Sequence, residues 1–334
     1  MREIDPATLP DAEALRAVVT NACQPVLLRG ACRNWPVVQE GSRSAEALSA
    51  YLERFDSGRR AQAFLGCQAI GGRYYYAEGM DGFNFDRREM TMTDALAAVA
   101  RCAQEPAAGT VYLGSIQAGL HAPGFAADNP LPFAPQGLEP RLWLGNASHV
   151  SCHYDTFDNL ACVVAGRRTF TLYPPQAIGD LYVGPIDNTM SGPPVGLAAS
   201  SNPDDPRYPR FERWRHQALV VDLAPGDCLY LPKLWWHQVV ASDPLNVLVN
   251  YWWDDHASGP DAPLTTMLLA MAALAERPEA ERQAWSAFFD HYVFRPQRHP
   301  LEHLPPELHG ILGSGDKGNP GRIRAHVMRL LRGG

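Results

Sequence analysis

No run of apolar residues approaches the eighteen or so needed to cross a membrane, so no membrane-spanning helix is expected. The opening "MREIDPATLPDAEALRAVV" lacks the basic start and apolar stretch of a secretion signal, and a cytoplasmic protein is expected. No Cys-x-x-Cys pair occurs among Cys23, Cys32, Cys67, Cys102, Cys152, Cys162 and Cys228, which argues against a zinc knuckle and a disulfide framework. Buried thiols in a reducing compartment are expected instead. Basic residues fall short of acidic ones, 29 against 36. That balance disfavours a non-specific grip on nucleic acid or an anionic membrane and leaves protein or small-molecule substrates as the expected partners. There is no internal repeat and no low-complexity tract. What the chain does have is 334 residues of which 46% are apolar, enough for a substantial core.

Along the chain, Pro10 to Val19 reads as a short helix, "QPVLLRG" as a buried strand and "MTDALAAVARCA" as a second helix. From Thr110 the pattern becomes β: "TVYLGSI", "RLWLGN", "NLACVVAG" and "RTFTLYPP" are short strands punctuated by Gly, Asn or Pro. A stretch rich in Pro, Gly, Ser and Asp, 184–211, has no period and reads as a long ordered loop or lid. "ALVVDL", "DCLYLP", "WWHQVVAS" and "NVLVNYWW" then resume the strands, and after Asp255 the pattern turns helical. The expected fold is mainly β, an antiparallel double-sheet jelly roll over 109–255. An α/β lead-in over 1–108 and a helical region over 256–334 flank it.

Within "HYD", side chains two apart on a strand share a face, so His153 and Asp155 converge while Tyr154 turns outward. One more His from a distant strand would complete a facial triad of two His and one carboxylate, which leaves coordination positions open on a non-haem Fe(II). His237, in "LPKLWWHQVV", is the candidate. On the next strand Arg168, Phe170 and Leu172 share the inward face. A buried guanidinium needs an anion, which is either a protein carboxylate such as Asp158 or Asp222 or a bound acid. His149 reads as an ordinary polar histidine, and the pairs Trp235-Trp236 and Trp252-Trp253 read as packing.

Taken together, "HYD" from 153, "GRRTFTLYPP" from 166, "PGDCLYLPKLWWHQV" from 225, "VNYWW" from 249 and "QPVLLRGACRNWP" from 24 resemble the JmjC or cupin-like 2-oxoglutarate oxygenases. The branch they resemble contains the asparaginyl hydroxylase that modifies hypoxia-inducible factor, and the resemblance spans roughly residues 20 to 255. It implies a double-stranded β-helix of the cupin/JmjC type, with His153, Asp155 and His237 as iron ligands. Arg168 and Tyr112 are implied as partners of the distal 2-oxoglutarate carboxylate, and Asn159 and Asn250 as residues near cosubstrate and iron. Two positions depart from the pattern. Val150, with Ser151 beside it, stands where the family often has Thr, and Arg168 stands where the hydroxylase has Lys.

The implied activity is an Fe(II)-, 2-oxoglutarate- and O₂-dependent dioxygenase, a hydroxylase with a protein or peptide side chain as preferred substrate. A small molecule or a tRNA base are the alternative substrates. A homodimer through the C-terminal helices, "PLTTMLLAMAALAE" among them, is implied as well. The rival readings are a non-catalytic cupin-like metal-binding or regulatory module, and a zinc isomerase or hydrolase, since the same ligand types suit Zn²⁺.

Overall fold

Strands with both faces covered lose the apolar–polar alternation that marks a half-exposed strand, and this chain contains such a strand at its centre. The computed structural model describes residues 1–19, 22–190, 192–255, 262–313 and 319–333. The chain divides into two compact units, Met1–Asp254 and Asp255–Gly334.

In the first unit the strands are β1 (Arg2–Glu3), β2 (Val26–Leu28), β3 (Ala61–Gly66), β4 (Arg73–Tyr74), β5 (Asp86–Met90), β6 (Thr110–Gln117) and β7 (Arg141–Gly145). They continue with β8 (Ser148–His153), β9 (Asp158–Ala165), β10 (Arg168–Tyr173), β11 (Leu219–Leu223), β12 (Cys228–Leu231), β13 (Trp236–Ala241) and β14 (Asn246–Trp253). They form a nine-stranded sheet in the order β1-β2-β12-β9-β14-β7-β6-β3-β5 and a five-stranded sheet in the order β11-β10-β13-β8-β4. Neighbours are antiparallel except β1 with β2 and β4 with β8.

All eight residues of β9 are buried. Ala161 and Val163 pack with Phe170, Leu172, Leu223, Leu229 and Val239 in a core drawn from both sheets. Leu160, Cys162 and Val164 face the other way, into a second core that the larger sheet shares with four helices of the lead-in. These are α1 (Ala12–Val19), α2 (Pro36–Arg43), α3 (Ala45–Glu53) and α4 (Met92–Gln104). Each helix starts where the sequence supplies a cap or a proline. Ser44 Oγ accepts from Ala47 N at 3.1 Å before α3, and Thr91 and Asp94 form a reciprocal capping box at α4. Pro36 opens α2. Helix α4 buries Met92, Ala95, Leu96, Val99 and Cys102, the spacing of one helical face. The architecture is therefore mixed α/β, less purely β than the strand pattern suggests, because the lead-in covers the outer face of the larger sheet with helices.

The second unit contains the helices Pro263–Leu274, Glu279–Phe289 and Asn319–Leu331. Leu264, Met267, Leu268, Leu269 and Met271 of the first of them are exposed. No helix of the described residues is long and apolar enough to cross a membrane. All seven cysteines are free thiols, Cys32, Cys102, Cys152, Cys162 and Cys228 buried and Cys23 and Cys67 exposed.

Candidate metal centre

His153 is the last residue of β8 and His237 the second of β13, and the antiparallel register sets them directly opposite each other. Their ring centroids lie 4.2 Å apart. His153 Nδ1 is 2.8 Å from Ser151 O and His237 Nδ1 is 3.0 Å from Trp235 O. A carbonyl can only accept, so each ring carries its proton on Nδ1 and keeps the Nε2 lone pair for a ligand. Burial pushes the His237 pKa down to about 4, and the repulsion that a second protonated ring at His153 would bring acts in the same direction, which keeps His237 in the neutral form a metal requires.

Asp155 brings the carboxylate. It does not reach the site by strand alternation, because β8 ends at His153 and Asp155 lies in the connection to β9. Its backbone carbonyl accepts from Leu234 N at 2.8 Å, and its Oδ2 stands 3.7 Å from His237 Nε2. One ligand atom from each of His153, Asp155 and His237 lies within 4.8 Å of the others. Two neutral imidazoles and one carboxylate at this spacing fit a divalent cation that keeps open positions.

The three residues line a cavity of about 400 Å³ that also receives Tyr112, Asn159, Arg168 and Asn250. Arg168 is 4% exposed, and its Nε has no hydrogen-bond partner. No carboxylate among the described residues pairs with it. Asp158 accepts from the Tyr230 hydroxyl and pairs with Lys233, and Asp222 accepts from Thr169 Oγ1 at 2.6 Å. Burial lowers the Arg168 pKa, a cost that the polarity of Tyr112 opposes. Burial pushes the Tyr112 hydroxyl up to about 12. Trp143 Nε1 donates to Asn250 Oδ1 at 2.6 Å, and Asn250 Nδ2 donates to Asn159 Oδ1 at 3.0 Å. This relay fixes both amides and, among the described residues, uses Asn159 through its Oδ1 and not its Nδ2. At the position where a Thr was expected, Val150 lines the cavity, while the Ser151 hydroxyl is taken by Tyr74 O at 3.0 Å.

Part of the remaining wall comes from the 184–211 stretch, which the sequence reads as a loop or lid, whereas the part from β3 and β4 was not foreseen. Gln62 and Phe64 come from β3, Tyr74 from β4, and Met190, Pro193 and Val195 from the 184–211 stretch. That stretch is tied to its surroundings by hydrogen bonds to its carbonyls, from Tyr76 Oη to Asn188 O at 2.5 Å and from Arg87 Nη2 to Met190 O at 2.6 Å. Gly196 N also donates to Cys152 O, one residue from the first histidine, at 2.8 Å. Trp252 lines the cavity, whereas Trp235, Trp236 and Trp253 are buried packing residues. His149 stays exposed on β8 and outside the cavity.

A profile of the cupin-like domain matches residues 12–259, most of the chain. The chain belongs to the cupin-like domain family. Relatives of this cupin-like chain include HSPB1-associated protein 1 of Homo sapiens, 34% identical over 156 residues, covering 45% of this chain and 31% of the relative. Jumonji C domain-containing protein 5 of Drosophila melanogaster is 35% identical over 121 residues, covering 36% and 29%. Lysine-specific demethylase 8 of Xenopus tropicalis is 26% identical over 242 residues, covering 69% and 48%. The chain thus spans less than half the length of each. With these JmjC relatives, the His-Asp-His grouping gives the cupin-like chain an oxygenase-type site of the Fe(II)/2-oxoglutarate kind.

Proposed function

We propose that the protein is an Fe(II)- and 2-oxoglutarate-dependent hydroxylase, with a protein side chain as its substrate. In this reading His153, Asp155 and His237 hold the metal, and strands β6–β14 of the two sheets make the two faces of a double-stranded β-helix spanning 109–255, with β1–β5 of the lead-in added to them. Arg168 carries the assignment of the cosubstrate. A buried guanidinium that meets no carboxylate among the described residues is costly unless a bound anion meets it, and this one lines the same cavity as the triad. Its planar fork suits the distal carboxylate of a 2-oxo diacid. Fe(II) and the 2-oxo acid, when bound, supply the oxidising chemistry that inserts an oxygen atom from O₂ into a C–H bond.

The chain's own residues orient and enclose. Tyr112 donates its hydroxyl to the carboxylate that Arg168 holds. Asn159, kept in one orientation by Asn250 and Trp143, offers its amide N–H to an oxygen of the bound acid. Phe64, Tyr74, Met190, Pro193 and Val195 form an apolar wall that excludes water. Apart from Asp155 no acidic side chain lines the cavity among the described residues, so nothing there meets a methylated ammonium group. That favours side-chain hydroxylation, as in the asparaginyl hydroxylase branch, over the lysine demethylation named for some relatives.

The exposed apolar helix Pro263–Leu274 supports a homodimer, which sedimentation of the purified chain would reveal. The free cysteines support a reducing compartment such as the cytoplasm. The functional reading is tested by adding Fe(II) and 2-oxoglutarate without oxygen. A visible charge-transfer band is expected, followed by succinate release once O₂ is admitted, and folded protein giving neither would overturn it. Mass spectrometry of partner proteins for a gain of one oxygen identifies the substrate.

A further inference from the structure

Asp155 lies beyond the end of its strand, so no sheet ladder fixes it. Its backbone is tied instead to the turn between β12 and β13, where Leu234 N donates to Asp155 O at 2.8 Å. Leu234 makes that bond from a left-handed conformation, φ +67°, which a leucine keeps only when its surroundings enforce it. The enforcing groups flank it. On one side, Lys233 N donates to Asp158 Oδ1 at 3.3 Å, while Lys233 Nζ lies 3.3 Å from Asp158 Oδ2 and 2.6 Å from Asp254 Oδ1. Asp158 is itself steadied by the Tyr230 hydroxyl at 2.9 Å. On the other side, Trp235 Nε1 donates to Cys23 O at 2.9 Å, and Trp235 O receives the Nδ1 proton of His237.

The same short turn therefore holds the backbone of the carboxylate ligand and the ring of the second histidine. We infer that Lys233, bound to Asp158 and Asp254, is a positioning residue for the metal centre, acting through Leu234 on Asp155. Burial acts to lower the Lys233 pKa, but the hydrogen bond to Asp254 and the charges of Asp158 and Asp254 leave it raised, so the ammonium persists. Asp158 also opens β9, the strand that carries Asn159, so the ion network joins the metal end of the cavity to its amide relay.

This inference rests on the reading of His153, Asp155 and His237 as ligands, and it is tested on metal affinity, not turnover. Titration of the metal-free full chain with Mn²⁺ should give a Kd about tenfold weaker for Lys233→Met, the loss typical when a group supporting a ligand is removed. Lys233→Arg, which keeps both ion pairs, should recover to within about threefold of the parent. If Lys233→Met fails to fold, the isosteric Asp158→Asn carries the same test. It keeps the acceptor for Lys233 N and weakens the ion pair, and a Kd raised several-fold is expected. Folded variants with a lowered melting temperature but a Kd within about twofold of the parent would assign the network to stability alone and overturn the inference. A parent chain that binds no Mn²⁺ would remove the ligand reading and this inference with it.

Discussion

At one end of the cavity His153 and His237 each give the Nδ1 proton to a backbone carbonyl, and Asp155 is held by its own backbone. At the other end, Arg168 Nε has no acceptor, and among the described residues no carboxylate pairs with the side chain. Both ends are largely buried, yet one is satisfied by the protein and the other is left in need of an anion. The contrast separates two kinds of site. The metal end is preorganised by main-chain geometry and should retain its shape without a ligand. The Arg168 end is electrostatically incomplete, so its occupant contributes to stability as well as to activity.

The largest effect should come from breaking the preorganised end. His153→Ala removes one of three ligands and should abolish Mn²⁺ binding and the charge-transfer band, while the melting temperature of the metal-free protein stays close to that of the parent. Retained metal binding would show that the triad is not the site. Arg168→Ala breaks the other end alone. Removing one partner of a buried ion pair costs about 3 kcal/mol, roughly a hundredfold in 2-oxoglutarate affinity, with Mn²⁺ affinity nearly unchanged. Calorimetric titration separates the two, and unaltered 2-oxoglutarate binding would return Arg168 to a structural role. The asymmetry can also be read without mutation. In thermal melts with saturating Mn²⁺ already present, adding 2-oxoglutarate should raise the melting temperature of the parent further, and the same addition should give a much smaller rise for Arg168→Ala.

The same asymmetry explains what the sequence revealed. His237 was legible because a late β segment after a Pro-containing turn is where a second ligand strand belongs. Arg168 was legible because strict alternation on β10 turns it inward with Phe170 and Leu172. Strand alternation places Asp155 beside His153, and the structure does bring the two together with His237, but by another route: alternation presumes that the strand continues, and β8 stops at His153. Its position depends on Leu234, about eighty residues away, which no local pattern encodes. The wall from β3 and β4 was invisible for a related reason. Strand β4 is only two residues long, and β3 lies beside the charged edge strand β5, so pairing with neighbours creates them more than intrinsic preference does. The 184–211 stretch has no period because its order comes from hydrogen bonds made by Tyr76 and Arg87, residues more than a hundred positions earlier. The helices α1 to α4 share a core with the outer face of the larger sheet, which made a mixed fold from what the strands alone suggested was mainly β.

The smallest expected effect sharpens the incomplete end. Tyr112→Phe deletes one hydroxyl that lines the cavity with Arg168, leaving the guanidinium in place. A single hydrogen bond to a charged carboxylate contributes about 1.5 kcal/mol, so 2-oxoglutarate should bind roughly tenfold more weakly, a fraction of the Arg168→Ala loss. The hydroxyl can donate only while protonated, and burial has moved its pKa up to about 12. Raising the pH through that value would replace the donor with a phenolate that repels the carboxylate, so affinity should fall there and not before. Between about pH 6.5 and 9 the Tyr112 contribution should therefore be flat, and the parent-to-Tyr112→Phe affinity ratio should stay constant across that range. A ratio that declines toward pH 9 would mean that the tyrosine ionises within the physiological range, and that it, as well as the bound acid, serves as an anion for Arg168.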